Sequence, residues 1–341
     1  MLFPNVSAFR HTSCSSKRHH KFPSDQNIPL ANSRILITGI GGPAGRAAVR
    51  FFREQSCEVI GTDIVRVDDD TEAFHLVPRG DDFTFSGKLL RLIQQFRPAL
   101  LVPTVSEELP TIARLRDTIR TLGTAIWISE PQATNTAHDK LLTANQLQAL
   151  GCSVPLTLTG PNPVNAREVA VILRYPFIAK PRIGRGGRGV RVYATPGEAL
   201  KETRDDIIYQ EFVPGKEFNV NLFAYPAGRT RAAVVLLKTG LREGLTGNAV
   251  GVQRVERSDI AAIAIDAVKK LQLEGPLNMD IRLDSAVRPM ILEINARLGA
   301  DVLSAREVLE ELYSLTKEWG KHQAPLRNRP GGHGSGIGDS A

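Results

Sequence analysis

Apolar residues form short runs that alternate with amphipathic segments over the first part of the chain. The runs with the length of buried strands are residues 34–38, 58–63, 99–103 and 125–128. A glycine-rich turn at residues 39–45 leads from the first run into a helix predicted over residues 44–55. Strands that alternate with helices are typical of a parallel, doubly wound sheet. We therefore predict an α/β domain over residues 34–136.

From about residue 154 the pattern changes to strands that follow one another along the chain. Helices are predicted over residues 138–150, 196–204 and 259–271, and a last helix ends near residue 319. In addition to the run that carries Lys180, the predicted strands are residues 190–193, 207–212, 217–225, 231–238, 278–283 and 289–295. Consecutive strands favour an α+β unit with mostly antiparallel pairing. We predict it over residues 137–322, with a small subdomain over about 154–210 and a central sheet subdomain over about 211–322.

The two ends of the chain have the composition of disordered segments. Residues 1–33 are rich in Ser, His and basic residues and contain no acid before Asp25, as in a disordered leader, a misassigned start or an organelle transit peptide. Residues 323–341 are rich in Gly and Pro. Disorder is therefore predicted at both ends.

Composition limits the classes of partner. The net charge of +7 suits an anionic small substrate as well as nucleic acid, but no basic run is interleaved with aromatic residues and no zinc-finger spacing is present. No apolar stretch approaches the about 20 residues that span a bilayer. Cys14, Cys57 and Cys152 are odd in number and far apart, which indicates a reducing compartment. The sequence thus predicts a cytoplasmic protein with neither a nucleic-acid partner nor a membrane span.

The run at residues 177–190 carries the strongest chemical signal. An apolar strand presents one lysine, Lys180, immediately before a loop rich in glycine and arginine. A buried ammonium needs an anionic partner, and glycines let backbone N–H groups approach a polyphosphate. The loop residues expected to contact it are Gly184, Arg185, Gly186, Gly187 and Gly189. The alternative is a hairpin turn with solvated arginines.

A second signal lies at residues 291–297. Alternation with period two places Glu293, Asn295 and Arg297 on one face of a strand. Asp280 lies on the preceding strand, and a turn at residues 284–287 would bring it to the same side as Glu293. Two converging carboxylates repel each other unless a cation joins them, and oxygen ligands suit Mg²⁺.

A glycine turn also opens the first domain. Gly39, Gly42 and Gly45 follow a strand, and Asp63 closes the next one, in the manner of a dinucleotide-binding fingerprint. A nicotinamide-dependent oxidoreductase is therefore one alternative. The other reading is an ordinary strand-to-helix turn.

The order of these motifs, with the phosphate loop before the metal strand, resembles the ATP-grasp superfamily. The resemblance covers residues 34–320. Within the superfamily, the chain is most similar to the group of the carbamoyl-phosphate synthase large subunit and to carboxylate–amine ligases. It implies a Rossmann-like N-terminal domain, with its glycine turn facing the acceptor substrate, followed by an ATP-grasp fold. The implied metal ligands are Asp280, Glu293 and Asn295. The implied nucleotide-binding residues are Lys140, Lys180, the loop residues above, Glu211, Phe212, Val213 and Glu217.

The resemblance also implies an activity. Mg-ATP would phosphorylate a substrate carboxylate, and an amine would then displace phosphate to give an amide. Mn²⁺ is an alternative ion, and amino acids are the expected substrates. Arg297 is assigned to the transferred phosphoryl group, and Lys238 and Arg242 to the γ-phosphate or a substrate carboxylate. The alternatives are a carbamoyl-phosphate-synthase-like or carboxylating enzyme that uses bicarbonate, the oxidoreductase above, and a nucleotide sensor without turnover. A homodimer is compatible with the sequence.

Overall fold

The computed structural model describes residues 33–68, 71–159, 166–195 and 206–327. The first part contains the strands β1 (Arg34–Thr38), β2 (Glu58–Asp63), β3 (Ala73–Leu76) and β4 (Leu100–Val102). The helices of this part are α1 (Pro43–Glu54), α2 (Phe85–Phe96) and α3 (Leu109–Thr121), with a 3-10 turn at Ser106–Glu108. The strands pair in parallel in the order β3-β2-β1-β4, as the alternation of strands and helices predicts.

Two features of this sheet differ from the prediction. Residues 125–128, predicted as a strand, contribute only an isolated parallel bridge between Ala125 and Leu100. Ala125, Ile126 and Ile128 are nevertheless buried, so the apolar run reflects burial of an extended segment and not a paired strand. The edge strand β3 was not predicted, because its partly exposed residues carry no continuous apolar run.

Helices α4 (Pro131–His138) and α5 (Lys140–Ala149) connect the parallel sheet to the rest of the chain. The sequence predicts one helix here. Asp139 separates the two because it has extended backbone angles and caps α5, where its Oδ1 accepts from the backbone N of Leu141 at 2.9 Å and of Leu142 at 3.3 Å.

The second part of the chain contains two antiparallel sheets. The small sheet has the order β5-β8-β6-β7 and consists of β5 (Thr157–Thr159), β6 (Phe177–Pro181), β7 (Arg191–Tyr193) and β8 (Ile207–Glu211), with helix α6 at Ala166–Leu173. The central sheet has the order β11-β10-β9-β12-β13 and consists of β9 (Glu217–Ala224), β10 (Thr230–Leu241), β11 (Ala249–Arg254), β12 (Gly275–Leu283) and β13 (Pro289–Asn295). The helix predicted over residues 196–204 lies outside the described residues.

Helices α7 (Ser258–Lys270) and α8 (Glu307–Arg327) follow β11 and β13, and a 3-10 turn at Val302–Ala305 precedes α8. Helix α8 continues into the segment from residue 323 that the sequence predicts as disordered, whereas residues 1–32 and 328–341 lie outside the described part. One cluster of buried residues contains Leu36 of β1 together with Phe218 of β9 and Met279 of β12. The parallel sheet and the central sheet therefore share a hydrophobic core, which fixes the space between them.

Candidate active site

A cavity lies between the small sheet and the central sheet. Its walls come from β6, β8, β9, β12 and the loops after β6 and β10. The predicted residues that line it are Lys140, Lys180, Gly184, Arg185, Gly186, Gly187, Glu211, Phe212, Val213, Glu217, Lys238, Asp280 and Glu293. The chain thus brings together residues that are spread over more than 150 positions of the sequence.

Lys180 is the buried cation of the small sheet. Its residue is 7% exposed, and its Nζ donates to Gln210 Oε1 at 2.8 Å. Burial, which disfavours the ammonium, lowers the pKa of Lys180 to about 8, against the opposing attraction of Glu293. Because burying an ammonium costs free energy, a lysine at this position indicates a site for an anionic ligand.

Lys140 is held at the start of α5. Asp139, the capping residue of that helix, forms an ion pair with Arg182 at 2.5 Å, and the backbone N of Lys140 donates to the carbonyl O of Arg182 at 3.0 Å. The Lys140 Nζ donates to the carbonyl O of Gly184 at 2.7 Å and lies 3.4 Å from Glu293 Oε2. Lys140 therefore joins the glycine loop to Glu293 on strand β13.

Lys238 of β10 lies among carboxylates. Its Nζ contacts Glu217 Oε1 at 2.5 Å and Asp280 Oδ1 at 3.0 Å. Burial acts against the ammonium, but Asp280 and Glu217 outweigh it and raise the pKa of Lys238 above its usual range. Glu217, to which the resemblance assigns the ribose hydroxyls, also pairs with Arg282 Nε at 2.7 Å, so both of its oxygens have cationic partners.

The two predicted metal-binding acids face each other. Asp280 of β12 and Glu293 of β13 are directly paired in the antiparallel register. Burial favours the neutral acid, but the charges of Lys140, Lys180 and Lys238 outweigh it and lower the pKa of Glu293 to about 2. Asn219 Nδ2 donates to Asp280 Oδ1 at 2.8 Å, which holds that carboxylate from the other side.

Asn295 and Arg297 continue this row away from the cavity. Asn295 Nδ2 donates to Glu293 Oε1 at 3.3 Å, and its Oδ1 accepts from Arg297 Nη2 at 3.1 Å. Arg297 Nε donates to Ser106 Oγ at 2.8 Å, in the 3-10 turn of the N-terminal part. Arg297 thus lies where the central sheet meets the parallel sheet.

The glycine loop closes one side of the cavity. Gly187 has a φ of 72°, and a Cβ at this position would lie 2.8 Å from the Cα of Gly247 in the turn after β10. Glycine is required here because the left-handed backbone and the close approach both exclude a side chain. Arg185 Nε contacts Glu107 at 2.9 Å and 3.1 Å, which ties the loop to the N-terminal part.

Four of the predicted residues lie away from the cavity wall: Gly189, Arg242, Asn295 and Arg297. Arg242 is exposed, and its backbone N donates to the carbonyl O of Asn248 at 3.0 Å. Glu211 lines the wall, but its Oε2 accepts from the backbone N of Leu156 at 3.2 Å, so part of its role is to join β8 to the segment before β5.

The lining residues that were not predicted include Gln210 and Arg282. Arg282 is two positions beyond Asp280 on β12 and therefore shares its face, so the alternation that identified Asp280 also contains this signal. Arg282 donates to the carbonyl oxygens of Val213 at 3.2 Å and Leu245 at 2.7 Å. It thereby fixes the backbone of the predicted nucleoside segment.

A second, larger cleft of about 670 Å³ adjoins the first. The glycine turn before α1, Asp63, Glu107, Glu108 and Arg297 line it, and Arg185, Gly186, Arg188 and Asn248 line both cavities. Asp63 Oδ2 accepts from the backbone N of Gly41 at 2.9 Å, within the glycine turn itself.

Glu108 is the buried acid of this cleft and was not predicted. It is 2% exposed and accepts a short hydrogen bond from Thr38 Oγ1. Burial raises the pKa of Glu108 to about 8, and the nearby Asp63 and Glu107 act in the same direction.

Comparison with known proteins agrees with this architecture. A family model described as an ATP-grasp domain matches residues 137–301. This part of the chain is therefore similar to the ATP-grasp family. The match begins where the sequence predicts the second domain to begin, and it contains every residue assigned above to the nucleotide and the metal.

Curated relatives of the chain include ligases. A D-alanine–D-alanine ligase of Marinomonas sp. (strain MWYL1) is 26% identical over 188 residues, which are 50% of this chain and 59% of that protein. A probable alpha-L-glutamate ligase of Stenotrophomonas maltophilia (strain R551-3) is 28% identical over 183 residues, which are 50% of this chain and 60% of that protein. The aligned part is thus less than two thirds of each relative.

Solved structures extend the fold similarity over most of the chain. An L-amino acid ligase from Bacillus licheniformis has a TM-score of 0.59 at 17% identity, covering 80% of this chain and 69% of that chain. A biotin carboxylase from Campylobacter jejuni has a TM-score of 0.64 at 15% identity, covering 84% of this chain and 71% of that chain. Among the described residues, no helix is long and apolar enough to cross a membrane.

Proposed function

We propose that this chain is an ATP-dependent carboxylate–amine ligase that forms an amide through an acyl-phosphate and releases ADP and phosphate. The observation that carries the proposal is the cavity in which Lys140, Lys180 and Lys238 surround the carboxylates of Asp280 and Glu293 under a glycine loop. The cavity is lined by six basic side chains, which include Arg185, Arg188 and Arg282, and by four acids, which include Glu211 and Glu217, and the excess of positive charge suits a polyphosphate.

The cavity divides into a phosphate end and a nucleoside end. Lys140, Lys180 and the glycine loop form the phosphate end, where ammonium groups and backbone N–H groups neutralise negative charge. The segment from Glu211 to Val213 forms the nucleoside end, with its backbone fixed by Arg282. ATP would therefore enter with its γ-phosphate towards β13.

The donor set fits Mg²⁺ in the way that nucleotide-dependent enzymes usually hold it. In the described residues no three His, Cys, Asp or Glu side chains converge to hold a metal by themselves. Mg²⁺ is commonly bound by one or two carboxylates together with substrate phosphates, and the paired Asp280 and Glu293 match this arrangement. When bound, the ion would offset the negative charge that builds up on the transferred phosphoryl group.

The acceptor carboxylate belongs in the second cleft, at the point where the two cavities share Arg185 and Arg188. A carboxylate is a poor electrophile, and phosphorylation gives it a leaving group. Arg297 lines this cleft and is held by Asn295 and Ser106. In this proposal its guanidinium would stabilise the charge on the transferred group, since a fixed cation needs no reorganisation during the reaction.

The amine step requires that water stay away from the acyl-phosphate. The glycine loop already contacts the turn after β10 through Gly187 and Gly247, and the N-terminal part through Arg185 and Glu107. Closure on these two sides would shield the intermediate. The amine then attacks the acyl carbon and phosphate leaves, with amino acids as the substrates we expect.

The decisive experiment is nucleotide turnover by the purified protein with Mg-ATP and pooled amino acids. We expect ADP and phosphate only when the pool is present. Glu293→Ala should abolish the signal, while the matched variant Glu256→Ala, at an exposed position outside both cavities, should retain it. AMP and pyrophosphate as products would refute the acyl-phosphate route.

One alternative keeps the same nucleotide site but changes the acceptor. The fold is as similar to that of biotin carboxylase as to that of the amino acid ligase, so bicarbonate is tested separately. ADP release with bicarbonate and without any amino acid would replace the ligase by a carboxylating enzyme.

A further inference from the structure

Lys180 belongs to a row of three polar side chains that crosses the small sheet. Strands β5, β8 and β6 lie side by side, Thr157 is paired with Gln210, and Gln210 lies diagonally opposite Lys180. Lys180 Nζ donates to Gln210 Oε1 at 2.8 Å, and Gln210 Nε2 donates to Thr157 Oγ1 at 2.9 Å. Thr157 Oγ1 in turn donates to the carbonyl O of Pro155 at 3.0 Å.

The direction of each hydrogen bond in this row follows from the number of protons available. The hydroxyl of Thr157 has one proton, which the carbonyl of Pro155 takes, so its oxygen is left to accept from Gln210. The NH₂ of the Gln210 amide therefore points to Thr157, and its carbonyl oxygen points to Lys180. An ammonium has donors only, so this is the orientation that Lys180 requires.

We infer that Gln210 is a positioning residue that fixes the Lys180 ammonium for phosphate binding, and that Thr157 fixes the amide of Gln210 in the orientation this needs. The inference rests on the proposed function, in which Lys180 contacts the nucleotide phosphates. It assigns a role to Gln210 beyond lining the cavity, and to Thr157, which does not line it.

Burial explains why such a row has an effect. Lys180 is 7% exposed and Gln210 4% exposed, so water has little access to replace a lost partner. Within the described part of the chain, the other hydrogen bond of the Lys180 Nζ is the longer one to the carbonyl O of Leu292, at 3.5 Å. Lysine is a flexible point charge, and the short bond to Gln210 is what restricts it before the nucleotide arrives.

Two variants separate positioning from general damage. Gln210→Leu removes the acceptor and should weaken ADP binding by roughly tenfold, as expected for a hydrogen bond to a charged group. Thr157→Val keeps the shape of the side chain but leaves the amide free to turn its NH₂ towards the lysine, and should weaken ADP binding by roughly threefold. Thr157→Ser restores the hydroxyl and should restore the affinity.

The readout compares ADP with adenosine by calorimetry on the full chain. Both variants should lose affinity for ADP and keep their affinity for adenosine, because the row acts on the phosphate end. Thr159→Val, an exposed threonine two positions further along β5, is the matched control and should bind both ligands as the wild type does.

Each remaining outcome overturns the inference. If Thr157→Val binds ADP as the wild type does, Thr157 does not orient the amide. An equal loss of ADP and adenosine would mean that Gln210 supports the nucleobase or the fold. If the wild type binds neither ligand, the proposed function itself fails and this inference fails with it.

Discussion

The two adjoining cavities differ in how their charges are held. In the first, Lys140, Lys180 and Lys238 are buried on or beside strands, and each has a carboxylate or amide partner within 3.5 Å. In the second, the walls are mainly loops and helix ends, and two of its arginines, Arg46 and Arg188, are exposed with no ion pair to any described residue.

This difference separates chemistry from selectivity. Side chains on paired strands keep their geometry to a fraction of an ångström, which phosphoryl transfer requires. Loops vary without disturbing the core, and binding specificity commonly resides there. We therefore assign the phosphoryl transfer of the proposed reaction to the first cavity, and the selection of the acceptor to the second.

The largest expected effect comes from Lys180→Met. Removing a fixed phosphate-binding cation should lower kcat/KM for ATP by about 1,000-fold. The same change should leave the protein at least as stable as the wild type, because burial lowers the pKa of Lys180 and the folded state therefore disfavours its ammonium. Activity and thermal unfolding are measured together, with Lys269→Met on the exposed face of α7 as control.

A fall in melting temperature of Lys180→Met would contradict this view of the first cavity. It would mean that the ammonium stabilises the empty site, and that Gln210 and Glu293 more than offset the cost of its burial.

How far the sequence predicts this site depends on the same distinction. Period-two alternation places Asp280 opposite Glu293 once the hairpin is recognised, and one lysine in an apolar strand identifies Lys180. Gln210 lies on the same face of β8 as Ile208. A glutamine in a strand carries no charge or motif of its own, so the local sequence does not identify it as a partner of Lys180.

The acids of the second cleft carry no such signal. Glu107 and Glu108 lie in a 3-10 turn, and they reach Arg185 and Thr38 only because the chain returns over 78 and 70 positions. Long-range contacts of this kind depend on how the sheets pack, which a local pattern does not contain. For the same reason the run at residues 125–128 predicts a strand where the structure has a buried extended segment.

The next effect concerns Glu108, whose pKa is raised from 4.5 to about 8. Because the folded state holds this proton more tightly than the unfolded state, its contribution to stability is complete below about pH 4.5 and is lost as the pH rises towards 8. The loss amounts to at most about 1.4 kcal/mol per pH unit. Glu108→Gln resembles the neutral acid and lacks this proton.

We therefore expect the stability of Glu108→Gln relative to the wild type to increase steadily between pH 5 and pH 8. Urea unfolding across this pH range measures the difference. The unfolding free energy of Glu256→Gln, a change at an exposed position, should vary with pH as that of the wild type does. The charged groups around Glu108 are Asp63, Glu107 and Arg185. If the difference in unfolding free energy between Glu108→Gln and the wild type does not change with pH, the combined effect of these charges and of burial leaves Glu108 ionised in the folded protein.

The smallest expected effect tests the link between the two cavities. The ion pair between Arg185 and Glu107 is partly exposed, with side chains at 31% and 23%. Glu107→Gln keeps the size of the side chain but removes the charge that holds the glycine loop against the N-terminal part. Since pairs of this exposure contribute about 1 kcal/mol or less, we expect the KM for the acceptor to rise by roughly fivefold.

ADP affinity should change less than the acceptor KM, because Arg185 remains free to turn towards the phosphates. Glu307→Gln breaks the exposed pair with Arg254 outside both cavities and serves as the matched control for charge removal. An equal effect on ADP and on the acceptor would mean that Glu107 shapes the nucleotide site directly. The loop would then belong to the first cavity alone, and acceptor selection would have to reside in the glycine turn before α1.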